Sequence, residues 1–240
     1  MAGRRLTGLN RPTRISRPDS RARFLLALQT NPPPDCPLCP RLAEFRHINR
    51  RQFPDWHNAP VDNWGDTAPR LLIVGLAPGL RGANRTGRPF TGDYAGDLLY
   101  ATLKKFGLAT GEFEADPNDS LQLVDTLIVN SVRCVPPQNK PTGPEIATCR
   151  RFLIATIEAN RQAKAFFALG RIAHESLLSA LGERRAAFPF GHGREHTLSD
   201  GRILIDSFHC SRYNTNTGRL TPEMFEDAMG KAKAAITAEG

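Results

Sequence analysis

The sequence predicts an α/β domain: a parallel sheet covered by helices on both faces. Four short, largely apolar runs recur after Pro69, at residues 71–77, 126–132, 165–169 and 202–208. They lack the polar–apolar alternation of a strand with one wet face. Helical stretches separate and follow them, at residues 92–106, 144–160, 171–181 and 222–238. Apolar strands joined by helices belong in a parallel sheet buried on both sides, and ligands bind such sheets beyond the strand C-termini.

In chain order, residues 1–18 contain no acid and no periodicity, and they read as a flexible basic arm ahead of one domain at 19–240. Asp19 and Ser20 can start a short helix through Leu28. The run Asn31-Pro-Pro-Pro-Asp35 stops it. Residues 40–69 show no clear period and read as loop and short helix. Thr142 and Glu145 have capping-box spacing, in which Thr caps the helix and Glu reaches back to its amide. Pro222 follows Thr221 at a first helical position, where a missing N–H costs nothing.

The 240 residues include 32 basic and 24 acidic side chains, a formal net charge of +8. Residues 1–51 hold 11 arginines and three acids, so the whole excess is N-terminal and the remainder is neutral. The charge hints at a polyanionic partner, but it resides outside the strand-and-helix region. A hydrophobic content of 40% supports a core and argues against a disordered chain. No apolar run reaches the roughly 18 residues of a membrane span, and no apolar leader of secretory type opens the chain. A soluble cytoplasmic protein is expected, although an Arg-rich, acid-free start also has the composition of a transit peptide.

Cys36, Cys39, Cys134, Cys149 and Cys210 make an odd set, which argues against a disulfide scaffold. Cys36 and Cys39 form a C-x2-C pair, Cys134 directly follows the second strand, and Cys149 sits near the start of the capped helix, so a fold can gather these four. Four thiolates suit tetrahedral zinc or an iron–sulfur cluster. Cys210, at the exit of the fourth strand, reads as a small core residue.

The strand ends carry the remaining signals. Beyond the first lie Gly75-Leu-Ala-Pro-Gly79 and then GANRTGRPFTGD, residues 82–93. The second ends in Asn130-Ser-Val-Arg-Cys134-Val-Pro-Pro137, and the fourth in HCSRYNTNTGRLT, residues 209–221. Together these segments resemble the uracil-DNA glycosylase superfamily, and most closely its iron–sulfur family 5. Members carry GLAP, GANRTGR-x-FTGD, N-x-V-R-C-x-P-P and H-x-S-R-x-N-T-x-TGRLT. The resemblance covers nearly all of residues 36–229. It departs at Gly79, where members often have Ala, and at Cys210, where they often have Pro or Val.

That resemblance implies a three-layer α/β/α sandwich with a central four-stranded parallel sheet, and a [4Fe–4S] cluster on Cys36, Cys39, Cys134 and Cys149. It also implies a monomer that excises uracil, and other deaminated or damaged bases, from DNA. The first motif offers only Leu76 and Ala77 where related families place a polar water-activating residue. In family 5 the carboxylate of the FTGD segment takes that role, which here is Asp93. Asp93 also stands where an ordinary helix N-cap is expected.

Glycosidic cleavage leaves positive charge on the sugar and negative charge on the base, so a carboxylate near the sugar lowers the barrier. Asn130 can present donor and acceptor to a base edge, and His209 can donate to a base carbonyl. Phe90 can stack on the base, an interaction of roughly 1–3 kcal/mol. Gly75, Leu76 and Ala77 complete the expected base pocket. Arg85, Arg88, Ser211, Arg212, Asn214 and Arg219 are the expected DNA contacts, with residues 211–219 read as a loop that enters the duplex. No lysine occurs in the motif segments, so no Schiff-base lyase step is expected. The alternatives are a non-catalytic iron–sulfur DNA-binding sensor, and a nucleotide-binding hydrolase, which the lack of a phosphate-loop pattern disfavours.

Overall fold

The computed structural model describes residues 29–238, so the basic arm and the helix expected at 19–28 lie outside the described residues. In chain order the elements are α1 (Pro40–Gln52), β1 (Trp64–Gly65), β2 (Leu71–Gly75), α2 (Ala83–Thr86) and α3 (Tyr94–Lys105). Then come β3 (Ala109–Thr110), β4 (Gln122–Leu123), β5 (Thr126–Asn130), α4 (Gly143–Ala159), β6 (Ala165–Leu169) and α5 (Arg171–Leu181). The chain closes with β7 (Glu195–Thr197), β8 (Ile203–Ser207), α6 (Arg212–Asn216) and α7 (Pro222–Thr237).

The sheet has the order β1-β5-β2-β6-β8-β7. The four predicted strands form its parallel centre, and β2, β5 and β6 are buried at every residue. The expected strand count needs correction: among the described residues this sheet has six strands, because β1 and β7 add antiparallel edges, while β3 and β4 pair apart from it. Edge strands of two and three residues are too short to show a period. Successive residues of β2 point to opposite faces. Leu71 and Ile73 pack with Leu99 and Leu103 of α3 and Phe225 and Met229 of α7. Leu72 and Val74 pack with Leu153 of α4 and Ala173 and Leu177 of α5. This gives the three layers.

Helix α4 carries the predicted capping box, in which the Glu145 amide donates to Thr142 Oγ1 and the Thr142 amide donates to Glu145 Oε2. Glu145 also receives both ends of Arg41 at 2.7 Å, which ties α4 to α1. Within the expected loop and short helix at 40–69, the helix is α1, whose 13 residues the sequence pattern does not locate. Periodicity misses this helix because two of its three buried side chains, Arg46 and Asn49, are polar. Among the described residues no helix is long and apolar enough to cross a membrane.

On β8, Asp206 is fully buried and holds two histidines: His174 Nδ1 lies 2.6 Å from Oδ1, and His196 Nε2 lies 3.1 Å from Oδ2. The Gly191 amide donates to Oδ2, and His174 Nε2 reaches the Phe188 carbonyl. The three side chains are close enough to hold one ion, yet they already satisfy each other as hydrogen-bond partners between α5, β7 and β8.

Candidate active site

The parallel register aligns the ends of β2 and β5, with Gly75 opposite Asn130, and places the segment after β8 on the same edge. These segments enclose a cavity of about 520 Å³. Leu76, Ala77, Phe90, Asp93, Asn130 and His209 all line it, which brings together the residues expected to bind and cleave. Gly75 lies behind this wall. A Cβ there would fall 2.4 Å from Asn130 Oδ1 and 3.2 Å from Phe90 Cζ, so only glycine lets both side chains lie across the strand end.

Asp93 stands at the N-cap of α3, yet its side chain makes no capping hydrogen bond. Its Oδ1 is buried without a partner. Helix capping therefore accounts for its position only in part: the Ala95 and Gly96 amides lie near the carboxylate but make no capping bond of full geometry. The carboxylate packs instead on two glycines: a Cβ at Gly82 would lie 2.2 Å from Oδ2, and one at Gly79 would lie 3.1 Å away. Burial raises the Asp93 pKa above its usual range, and the nearby amides of Ala95 and Gly96 oppose this only in part.

Phe90 adopts φ of +52°, which is rare for a bulky residue, and its ring lies 5.9 Å from that of His209. Burial lowers the His209 pKa to about 4, so the ring is neutral at pH 7 even though the cavity leaves part of it accessible. Among the described residues neither its ring nitrogens nor the Asn130 amide has a protein partner, which leaves both for a ligand. Asn214 Nδ2 donates to the His209 carbonyl at 2.8 Å and fixes the backbone there. Tyr94 and Asn139 also line the cavity, and Arg212 lies 5.2 Å over the Tyr94 ring. Sequence reasoning missed Tyr94 and Asn139, and no motif signal pointed to their place in the wall.

The expected DNA contacts divide. Arg85, Arg212 and Arg219 are exposed. Ser211 caps α6 by accepting the Asn214 amide, so residues 211–219 hold a short helix rather than an open loop. Arg88 requires correction as a DNA contact. It is 4% exposed, bonds both Asp119 oxygens at 2.7 Å, and lies over the rings of Trp64, Tyr100 and Phe113. A guanidinium with that many interior partners holds the loop and does not reach a phosphate.

On the far side of β5, Cys36, Cys39, Cys134 and Cys149 line a single pocket. They come from the turn before α1, the α1 N-cap, the segment after β5, and α4. Burial is the largest cause raising Cys39 to about 11 and Cys134 to about 12. One buried guanidinium, that of Arg46, touches a sulfur, while the buried Arg133 guanidinium bonds Asn31 Oδ1, the Thr30 carbonyl and Thr156 Oγ1. Arg46 Nη1 is 3.7 Å from Cys134 Sγ, and Arg133 donates its amide to Cys149 Sγ at 3.4 Å. Among the described residues neither guanidinium has a carboxylate partner, and the Nε of each is buried and unsatisfied. Cys210 is fully buried behind the cavity, its thiol against the Ala95 carbonyl.

Comparison with known proteins points one way. Residues 63–233 match the model of the uracil DNA glycosylase superfamily. A type-5 uracil-DNA glycosylase of Thermus thermophilus is 45% identical, over 82% of this chain and 92% of its own. One from Mycobacterium leprae is 43% identical over 82% and 90%, and one from Pyrobaculum aerophilum is 37% identical over 83% and 88%.

Proposed function

The chain belongs to the uracil DNA glycosylase superfamily, and on that premise we propose that it hydrolyses the N-glycosidic bond of uracil, and of other deaminated or damaged bases, in DNA. The product is an abasic site, the starting point of base excision repair. One observation carries this function: a partly buried carboxylate with an unpartnered oxygen lines a single cavity with Asn130 and His209.

A base in a duplex must leave the stack before its sugar bond can be reached. In the cavity, Phe90 offers a ring face to the base, and the Asn130 amide has both donor and acceptor for its edge. Neutral His209 donates to the carbonyl where negative charge develops. The Asp93 carboxylate stabilises the positive sugar and orients the attacking water, whose oxygen ends on C1′ as the base departs. Among the described residues the cavity lining includes Asp93 and no lysine, which supports attack by water over a Schiff-base step with strand cleavage. Arg85, Arg212 and Arg219 hold phosphates around the opening. The enzyme acts as a monomer within residues 19–240, inside the cell with its DNA.

The four-cysteine pocket fits a [4Fe–4S] cluster. Thiolate-held clusters carry net negative charge. Buried Arg46, which has no ion-pair partner among the described residues, supplies opposite charge and an N–H toward Cys134, and the Arg133 backbone supplies an N–H toward Cys149. Cys36, Cys39, Cys134 and Cys149 would hold the cluster and so tie the turn before α1 to the segment after β5 and to α4, without a part in hydrolysis. Cys134 and the cavity-lining Asn139 lie five residues apart, so the crosslink also steadies one wall of the active site. An assay for free uracil from a uracil-containing duplex tests the activity. DNA binding without base release would instead favour the sensor.

A further inference from the structure

We propose that Phe53, Trp56, Arg81 and Arg85 form a second DNA subsite that takes one unpaired nucleotide beside the catalytic cavity. This rests on the glycosylase function and extends its contact with substrate. The Phe53 and Trp56 rings stack at 4.0 Å and 9°, and both remain partly exposed. With Arg81, Arg85 and Gly92 they line a cavity of about 380 Å³, separate from the one at Asp93. Gly92 directly precedes Asp93, so the two cavities back onto one turn of chain.

The aromatic shelf is fixed in place. The Phe53 amide donates to the Asn49 carbonyl at 2.8 Å, and Asn58 Nδ2 donates to the Phe53 carbonyl at 2.6 Å. The same loop is tied to the motif loop by His57 N to Arg85 O, Asn58 N to Asn84 O, and Asn84 Nδ2 to Asn58 Oδ1, all within 3.1 Å. Arg85 is pinned as well. Its Nε donates to the Arg81 carbonyl at 3.0 Å, and a Cβ at Gly92 would lie 2.5 Å from its Nη2. Among the described residues no carboxylate lies within 4 Å of either guanidinium, and Asp55 does not line this cavity.

Rigid rings beside unpaired arginines are suited to a base face and its phosphate, whatever the base. A base paired inside a duplex has both faces covered by its neighbours and cannot use such a shelf. A base freed beside a flipped nucleotide, at a gap, or in a single strand can.

Oligothymidylate free of uracil is the probe, because its binding is read without base release. It should quench indole fluorescence in the wild-type chain. Trp56→Leu should remove that quench and weaken binding by at least about fivefold, the loss of one stacked base. Arg81→Ala keeps the carbonyl that holds Arg85, and it should weaken binding at low salt with a flatter salt dependence. On uracil substrates both variants should raise KM more for a single strand than for a duplex. An unchanged quench in Trp56→Leu, unchanged binding in Arg81→Ala, or equal losses on both substrates would overturn the subsite. A wild-type chain that shows the quench but releases no base would keep the subsite and sink the glycosylase. Release without quench would do the reverse.

Discussion

The Asp93 carboxylate packs so closely on Gly82 that a Cβ there would stand 2.2 Å from Oδ2 and 2.8 Å from Cγ. Gly79 touches the same oxygen less tightly, at 3.1 Å. Displacing a catalytic group by about 1 Å costs on the order of 100-fold in rate. Gly82→Ala should therefore lower single-turnover base release by about that factor with a smaller change in KM, while Gly79→Ala should cost less than about tenfold. Equal rates in the two variants would show that the carboxylate position is unimportant.

The same carboxylate should cost stability. Burial raises its pKa, so the folded chain holds the Asp93 proton more tightly than the unfolded chain does. The associated stability is present below the unfolded pKa and is lost as pH rises through the folded one. Asp93→Asn, which resembles the neutral form, should thus have a higher Tm than wild type at pH 7, with the gap closing in acid. A lower Tm at pH 7 would mean that the charged form is well solvated.

His209 sets a second expectation. With a pKa of about 4 it stays neutral across the physiological range, so single-turnover rates should be level between about pH 6 and 8 and fall only in acid. A break near 6.5, its ordinary value, would place the imidazole in water. His209→Ala should slow base release more than it weakens DNA binding.

The parts of the fold that were legible in the sequence are those with local causes. Strands β2, β5 and β6 are buried throughout and therefore apolar throughout, and the Thr142–Glu145 cap is a four-residue signal. Asp93, Asn130, Phe90 and His209 stood out because the strand-end motifs that hold them resemble those of the glycosylase superfamily; Asp93 by itself reads as a helix cap. What stayed hidden depends on distant partners. Arg88 reads as a free basic residue until Asp119, 31 residues away, is found beside it. The Phe53–Trp56 shelf gains meaning only from Arg85, and α1 conceals its buried face behind Arg46 and Asn49.

The group at His174, His196 and Asp206 was equally illegible, since its members are far apart in sequence. Asp206→Ala leaves two buried histidines and the Gly191 amide without their acceptor. Leaving buried donors without their acceptor costs roughly 1–3 kcal/mol per group. Denaturant unfolding should show a loss of that size, with activity falling only as the folded fraction falls. A stability within about 1 kcal/mol of wild type would mean that the network is dispensable.

The cysteine pocket predicts colour. The purified holoprotein should be brown with broad absorbance near ~400 nm and contain iron and acid-labile sulfide. Cys134→Ser should lose both the colour and thermal stability. A colourless protein containing zinc would refute the cluster and leave the hydrolysis intact.

The most direct test of the whole account is base release from a duplex carrying a single uracil, by wild type and Asp93→Asn. Wild type should liberate free uracil and leave a strand that breaks only after alkali, while Asp93→Asn should bind the same duplex and lose most of that release. Full release by Asp93→Asn, or strand breakage without alkali, would contradict water attack directed by Asp93.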